Sequence, residues 1–149
     1  MSQRDNKSCT QAVFLGAVTL SGVTPAACAW VDTRGFDSAT LYVKTNTVVD
    51  AGTAAGFSFE MQDGDDSTAA GATAVVDAEI LGSESDLTVT DDTDDGVLVG
   101  GLGYVGSKRY VRLKATGTTG SDATVDVYAV LQHPNIEPAT LVGTSVAAT

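Results

Sequence analysis

Gly56-Phe-Ser-Phe-Glu-Met-Gln62 alternates apolar and polar side chains at every step. Phe57, Phe59 and Met61 fall on one side, and Ser58, Glu60 and Gln62 on the other. A period of two belongs to a strand with one buried and one wet face; a helix would scatter the same residues around its axis. The pattern recurs. Ala39, Leu41 and Val43 face inward in residues 38–47, and Val111, Leu113 and Ala115 do so in residues 108–116. In residues 123–131 the inward set is Val125, Val127, Ala129 and Leu131.

Shorter apolar stretches at 27–31 (with Trp30), 86–90 and 97–105 read as further strands, and residues 73–81 fit either a strand or one helical turn. Residues 11–20 also read as a strand, but there the alternation breaks. Val13, Leu15 and Ala17 lie on one side, and Phe14, Val18 and Leu20 interrupt it, which predicts partial cover on both faces. Turn formers separate these runs: Gly22 to Pro25, Gly35, Asp63-Gly-Asp-Asp66, Asp91 to Gly96 and Gly117 to Gly120. About eight strands at such spacing predict an all-β, antiparallel sandwich or barrel. Residues 11–133 form its single domain. Residues 1–10 form a polar N-terminal arm, and residues 134–149 a C-terminal arm, because Pro134 and Pro138 cannot continue a central strand.

Composition supports this reading. The 149 residues include 20 Thr, 20 Ala, 19 Val and 16 Gly, with no Lys/Glu/Leu-rich helical stretch. A helical bundle is therefore excluded. Eight basic and 19 acidic side chains give a net charge of −11, the wrong sign for a general phosphate-binding field, so nucleic acid is not an expected partner. No run of 18 apolar residues is present, so no membrane span is expected. Nor does the polar start resemble a secretion leader, which places synthesis in the cytoplasm.

The charge is segregated. Between Thr45 and Ser107 there are 13 acids and no Lys or Arg, and then Lys108, Arg109, Arg112 and Lys114 follow within seven positions. Two arrangements satisfy this pattern. Either the basic strand of one copy meets the acidic loops of a neighbour, or it neutralises loops of its own chain.

Nothing assembles into a catalytic set. His133 is the lone histidine, Cys9 and Cys28 have no metal or disulfide spacing, and no acid/base pair is recognisable. No enzymatic activity and no cofactor is expected. Asp91, Asp92, Asp94 and Asp95 surround a turn that suggests calcium, yet Leu102 stands where a calcium loop of the helix–loop–helix type needs its glutamate. Trp30, Tyr42, Tyr104 and Tyr110 are available for a sugar-binding face, or as core and interface anchors.

Two longer stretches carry a resemblance. Trp30-Val-Asp-Thr-Arg-Gly-Phe-Asp-Ser-Ala-Thr-Leu-Tyr42 and Gly103-Tyr-Val-Gly-Ser-Lys-Arg-Tyr-Val-Arg-Leu113 resemble recurrent segments of small structural proteins of tailed bacteriophages, as does the ending Val130-Leu-Gln-His-Pro134. The resemblance implies a jelly-roll-like antiparallel β-sandwich. It also implies a cement or decoration protein on the outer surface of the virion's capsid shell, partnered by itself as a homotrimer and by the major capsid protein. A tail, neck or head-fibre component is the alternative, and a carbohydrate- or calcium-binding module the second. On this reading the subunit or capsid contacts fall on Trp30, Arg34, Tyr104, Lys108, Arg109, Tyr110, Arg112 and Lys114. In the arms they fall on Arg4, Lys7, Ile136 and Leu141.

Overall fold

The computed structural model describes residues 9–135. Ten strands run in chain order: β1 (Thr10–Ser21), β2 (Ala26–Ala27), β3 (Val31–Asp32), β4 (Phe36–Asp50), β5 (Ser58–Gly64), β6 (Thr73–Ala74), β7 (Ile80–Leu81), β8 (Leu98–Tyr104), β9 (Tyr110–Thr116) and β10 (Asp122–Pro134). Two 3₁₀ turns, Asp77–Glu79 and Glu84–Leu87, lie between β6 and β8.

Pairing is nested. β1 pairs with β10, β2 and β3 with β9, β4 with β8, and β5 with β6, all antiparallel. The chain is thus a long hairpin rolled on itself. Two cross-ribbon pairings, β10 with β4 and β9 with β5, close it into two sheets of order β1-β10-β4-β8-β7 and β2-β9-β5-β6, with β3 also on β9. This is the nested strand order of a jelly roll, a double-sheet antiparallel sandwich.

The inward residues expected from alternation form the core. Leu41, Val43, Phe57, Phe59, Met61, Val111, Leu113, Ala115, Val125, Val127, Ala129 and Leu131 are all buried. Phe57 and Phe59 meet edge to face with ring centroids 6.1 Å apart.

Four expectations need correction. There are ten strands rather than about eight, because what reads as one strand at 27–31 is two short ones, and residues 73–81 hold both strand and turn. Residues 86–90 form no named strand; a 3₁₀ turn precedes one isolated bridge, Phe57 with Val89. In β1 the broken alternation comes from a bulge, not from double cover. The register shifts between Phe14 and Gly16, Gly16 takes φ 101°, and the inward set passes from Leu15 to Val18 and Leu20 while Phe14 points to solvent. Finally, β1 starts at Thr10 and β10 runs through Pro134, so the strands extend one residue into each expected arm. Arg4, Lys7, Ile136 and Leu141 lie outside the described residues.

Candidate interaction surfaces

The two stretches singled out in the sequence meet in space. Val31 sits opposite Val111, and Asp32 opposite Tyr110. The Arg109 guanidinium grips Asp32 through Nε at 3.0 Å and Nη2 at 2.7 Å, a bidentate fork that holds the Asp32 carboxyl below its ordinary range. Both Thr33 N–H and Thr33 Oγ1 donate to the Arg109 carbonyl. Residues 33–37 and 106–109 line an open cleft of about 460 Å³ at this end of the sandwich. Arg34, which lines it, is exposed and forms no salt bridge among the described residues.

Beneath the cleft lies a buried anchor that the sequence does not reveal. Asp63, 3 % exposed, accepts from Tyr104 Oη at 2.9 Å and from Thr73 Oγ1 at 2.8 Å, and Lys108 Nζ lies 3.2 Å away. Tyr104 Oη in turn accepts the Lys108 N–H at 3.0 Å. One hydroxyl thus links the two sheets and pins the loop before β9. Burial, reinforced by the Asp63 carboxylate, raises the Tyr104 pKa. Tyr104 is therefore a core residue, not the surface contact expected of it.

The outward row of β9 is wired into its own sheet. Lys114 Nζ contacts Glu60 Oε1 at 2.7 Å on β5, and the pair lowers the Glu60 pKa. Gln62 Nε2 donates to Glu60 Oε1 at 3.0 Å, and Arg112 Nε donates to Gln62 Oε1 at 3.0 Å. On its other side Arg112 stacks 4.3 Å above the Trp30 ring, while Arg109 lies 4.8 Å from the Tyr110 centroid. The four basic residues of 108–114 are thus all engaged within the chain. Lys108 and Lys114 pair with Asp63 and Glu60, two acids of the 45–107 stretch, Arg109 with Asp32, and Arg112 with Gln62 and Trp30. Among the described residues, none of their ion pairs involves the acidic loops 77–95.

Those loops serve another purpose. Glu84 accepts the Met61 N–H, Asp92 the Ala51 N–H and Asp95 the Val48 N–H, at 2.6, 2.7 and 2.6 Å. These carboxylates accept from two strand amides and, at Ala51, from the amide just past the end of β4. Asp91 closes a local turn by accepting from Thr93 N and Oγ1, which lowers its pKa. Among the described residues, no group of three or more His, Cys, Asp or Glu is placed to hold a metal ion, and the four aspartates of this turn do not converge. The sugar face is not assembled either. Tyr104 is buried, Tyr42 lies on the opposite sheet, and Trp30 carries Arg112 on its ring. Cys28 is a packed thiol whose pKa burial pushes up to about 11.

Sequence reasoning missed one surface. On the outer face of the β1-containing sheet, Phe14, Tyr128, Tyr42 and Gly101 stand directly opposite one another on β1, β10, β4 and β8. Phe14 and Tyr128 rings lie 5.1 Å apart. A Cβ at Gly101 would come within 2.6 Å of the Tyr42 ring, so the glycine is what lets that ring lie flat on the sheet. Leu81 and Leu98 extend the patch, both more than 60 % exposed. The signal available in the sequence was register, which requires knowing which strands are neighbours. The chain matches no protein-family model and no curated protein.

Proposed function

We propose that this chain is a non-enzymatic structural protein of a tailed-phage virion, a cement or decoration protein on the outer capsid surface that acts as a homotrimer. The observation that carries this reading is the convergence of its two phage-like stretches. Trp30 to Tyr42 and Gly103 to Leu113 are far apart in sequence, yet they share strand pairing, the Asp32–Arg109 fork and one cleft. Within this fold the two stretches form one paired unit. The jelly-roll order of the strands agrees with the fold that the resemblance implies.

Mechanically, such a protein stabilises a shell by binding only its assembled form. Each bound copy adds binding free energy to the closed state, and contacts repeated about a symmetry axis act together. The test is co-purification with intact particles from infected or induced cells. Many copies per particle, displaced only when the shell comes apart, is the expected result. Absence from particles, or confinement to the tail or neck, overturns the cement assignment.

A further inference from the structure

Each sheet of a sandwich has two edges whose unpaired amides and carbonyls recruit other chains unless guarded. Three of the four edges here end in strands of two residues: β7, β6, and the β2/β3 pair. The fourth is β1, twelve residues long, with neither a charged residue nor a proline. Its second half is partly covered, since Leu15 O accepts the Ala29 N–H and Ser21 bridges Thr24. Residues 10–14 have no pairing partner on their outer side among the described residues. Phe14, on that stretch, begins the exposed aromatic row.

We propose that this edge receives residues 136–149 of a second copy as an added antiparallel strand. Three observations favour that occupant. First, β10 ends at Pro134 beside the start of β1, with Thr10 opposite Gln132, so the donor segment leaves each copy next to the acceptor edge. Second, 136–149 contains a single charge, Glu137, and the strand formers Thr140, Leu141, Val142 and Val146. In a chain of net charge −11, an uncharged edge and a segment with one charged side chain are where copies meet with little repulsion. Third, direction favours another copy over the same one. A chain leaving β10 and turning back along its own β1 meets it in parallel, whereas every strand pair described here is antiparallel, the more stable ladder. Backbone pairing supplies the attachment, and Leu141 or Val142 laid against Phe14 and Tyr128 supplies apolar burial. Because donor and acceptor are different surfaces, the contact is head to tail, the class that forms a ring when its rotation closes, which suits the trimer on which this inference rests.

The experiment uses the full chain with photoreactive benzoylphenylalanine at position 14, prepared as an equal mixture of isotopically heavy and light protein. The expected cross-links run from position 14 to peptides of 136–149 and join heavy chains to light ones. Val142→Pro, which removes an amide that the proposed strand would use, is expected to reduce the solution mass to that of one chain with the thermal transition retained. Cross-links confined to single chains, or an unchanged mass for Val142→Pro, overturn the inference. A chain that pairs in this way but never accompanies particles removes the cement reading alone; a chain that decorates particles as a monomer removes the strand pairing alone.

Discussion

The two sheets present opposite solutions on their outer faces. On the β9-containing sheet, Lys114, Glu60, Gln62, Arg112 and Trp30 form a continuous chain of contacts, so nearly every outward group is satisfied inside the molecule. On the β1-containing sheet, Phe14, Tyr128 and Tyr42 stand in a row with 56, 37 and 37 % of their surface exposed. An engaged charged face is a finished surface. An exposed aromatic row beside an unguarded edge is one that gains free energy when covered. The difference reverses the first impression from the sequence, in which the basic strand drew attention as the contact and the β1 region passed as an irregular strand.

The comparison is meaningful only if both faces belong to one shared interior. Phe59 tests this, being 2 % exposed and seated between the sheets against Phe57. Phe59→Ala is expected to cost about 3–5 kcal/mol in chemical denaturation. A loss below about 1 kcal/mol would mean that the side chain is not in a common core. Tyr104→Phe comes next. It strips a donor from buried Asp63 and an acceptor from the Lys108 N–H, and should cost about 1–3 kcal/mol. If the hydroxyl links the sheets as described, amide exchange should rise in residues 105–109 before it rises in β10.

These two residues also show what was legible beforehand. Phe59 declared itself because period-two alternation reports a face directly, and the same is true of Val111 and Leu113. Tyr104 did not. Its burial depends on Asp63 approaching from the other sheet, 41 positions earlier in the chain, and no local pattern encodes that distance. The β1 bulge was visible only as a defect in alternation; Gly16 at positive φ explains it once the strand has a neighbour. The acidic stretch 45–107 was read as charge, whereas its Glu84, Asp92 and Asp95 act as acceptors for amides in or beside strands, a role that depends on which strands they pass. The long alternating strands could be read from the sequence; the short ones and the relations between strands could not.

A paired substitution sharpens the contrast between the faces. Arg112→Ala removes the stack on Trp30 and the bond to Gln62, so it should destabilise the fold by about 1 kcal/mol and shift the Trp30 fluorescence. Phe14→Ser loses mainly a partly exposed contact with Tyr128, so it should cost less than about 1 kcal/mol of fold stability. Its larger effect should be on the mass measured in solution. Arg112 would then report on the fold and Phe14 on assembly. The opposite outcome, association lost in Arg112→Ala and kept in Phe14→Ser, would exchange the roles assigned to the two faces.

The smallest expected effect is electrostatic and should mark the charged side of the molecule alone. Hydrogen bonds from Arg109 and Lys114 depress the pKa values of Asp32 and Glu60 relative to an unfolded chain. A depressed carboxylate contributes stability that is complete above its unfolded value, about pH 4. That contribution is lost as the pH falls through the lower folded value. Stability should therefore decline on acidification below about pH 4 and less steeply at high salt, because three of the four side chains are more than one-third exposed. Screening by water keeps the contribution of both surface pairs small. An Asp32→Asn, Glu60→Gln double variant should lose that share of the acid dependence, read as a flatter melting temperature against pH. The Phe14→Ser protein should retain the full slope, since neither pair lies on its face. An equally flattened slope in Phe14→Ser would mean that the two faces are coupled through the core rather than independent.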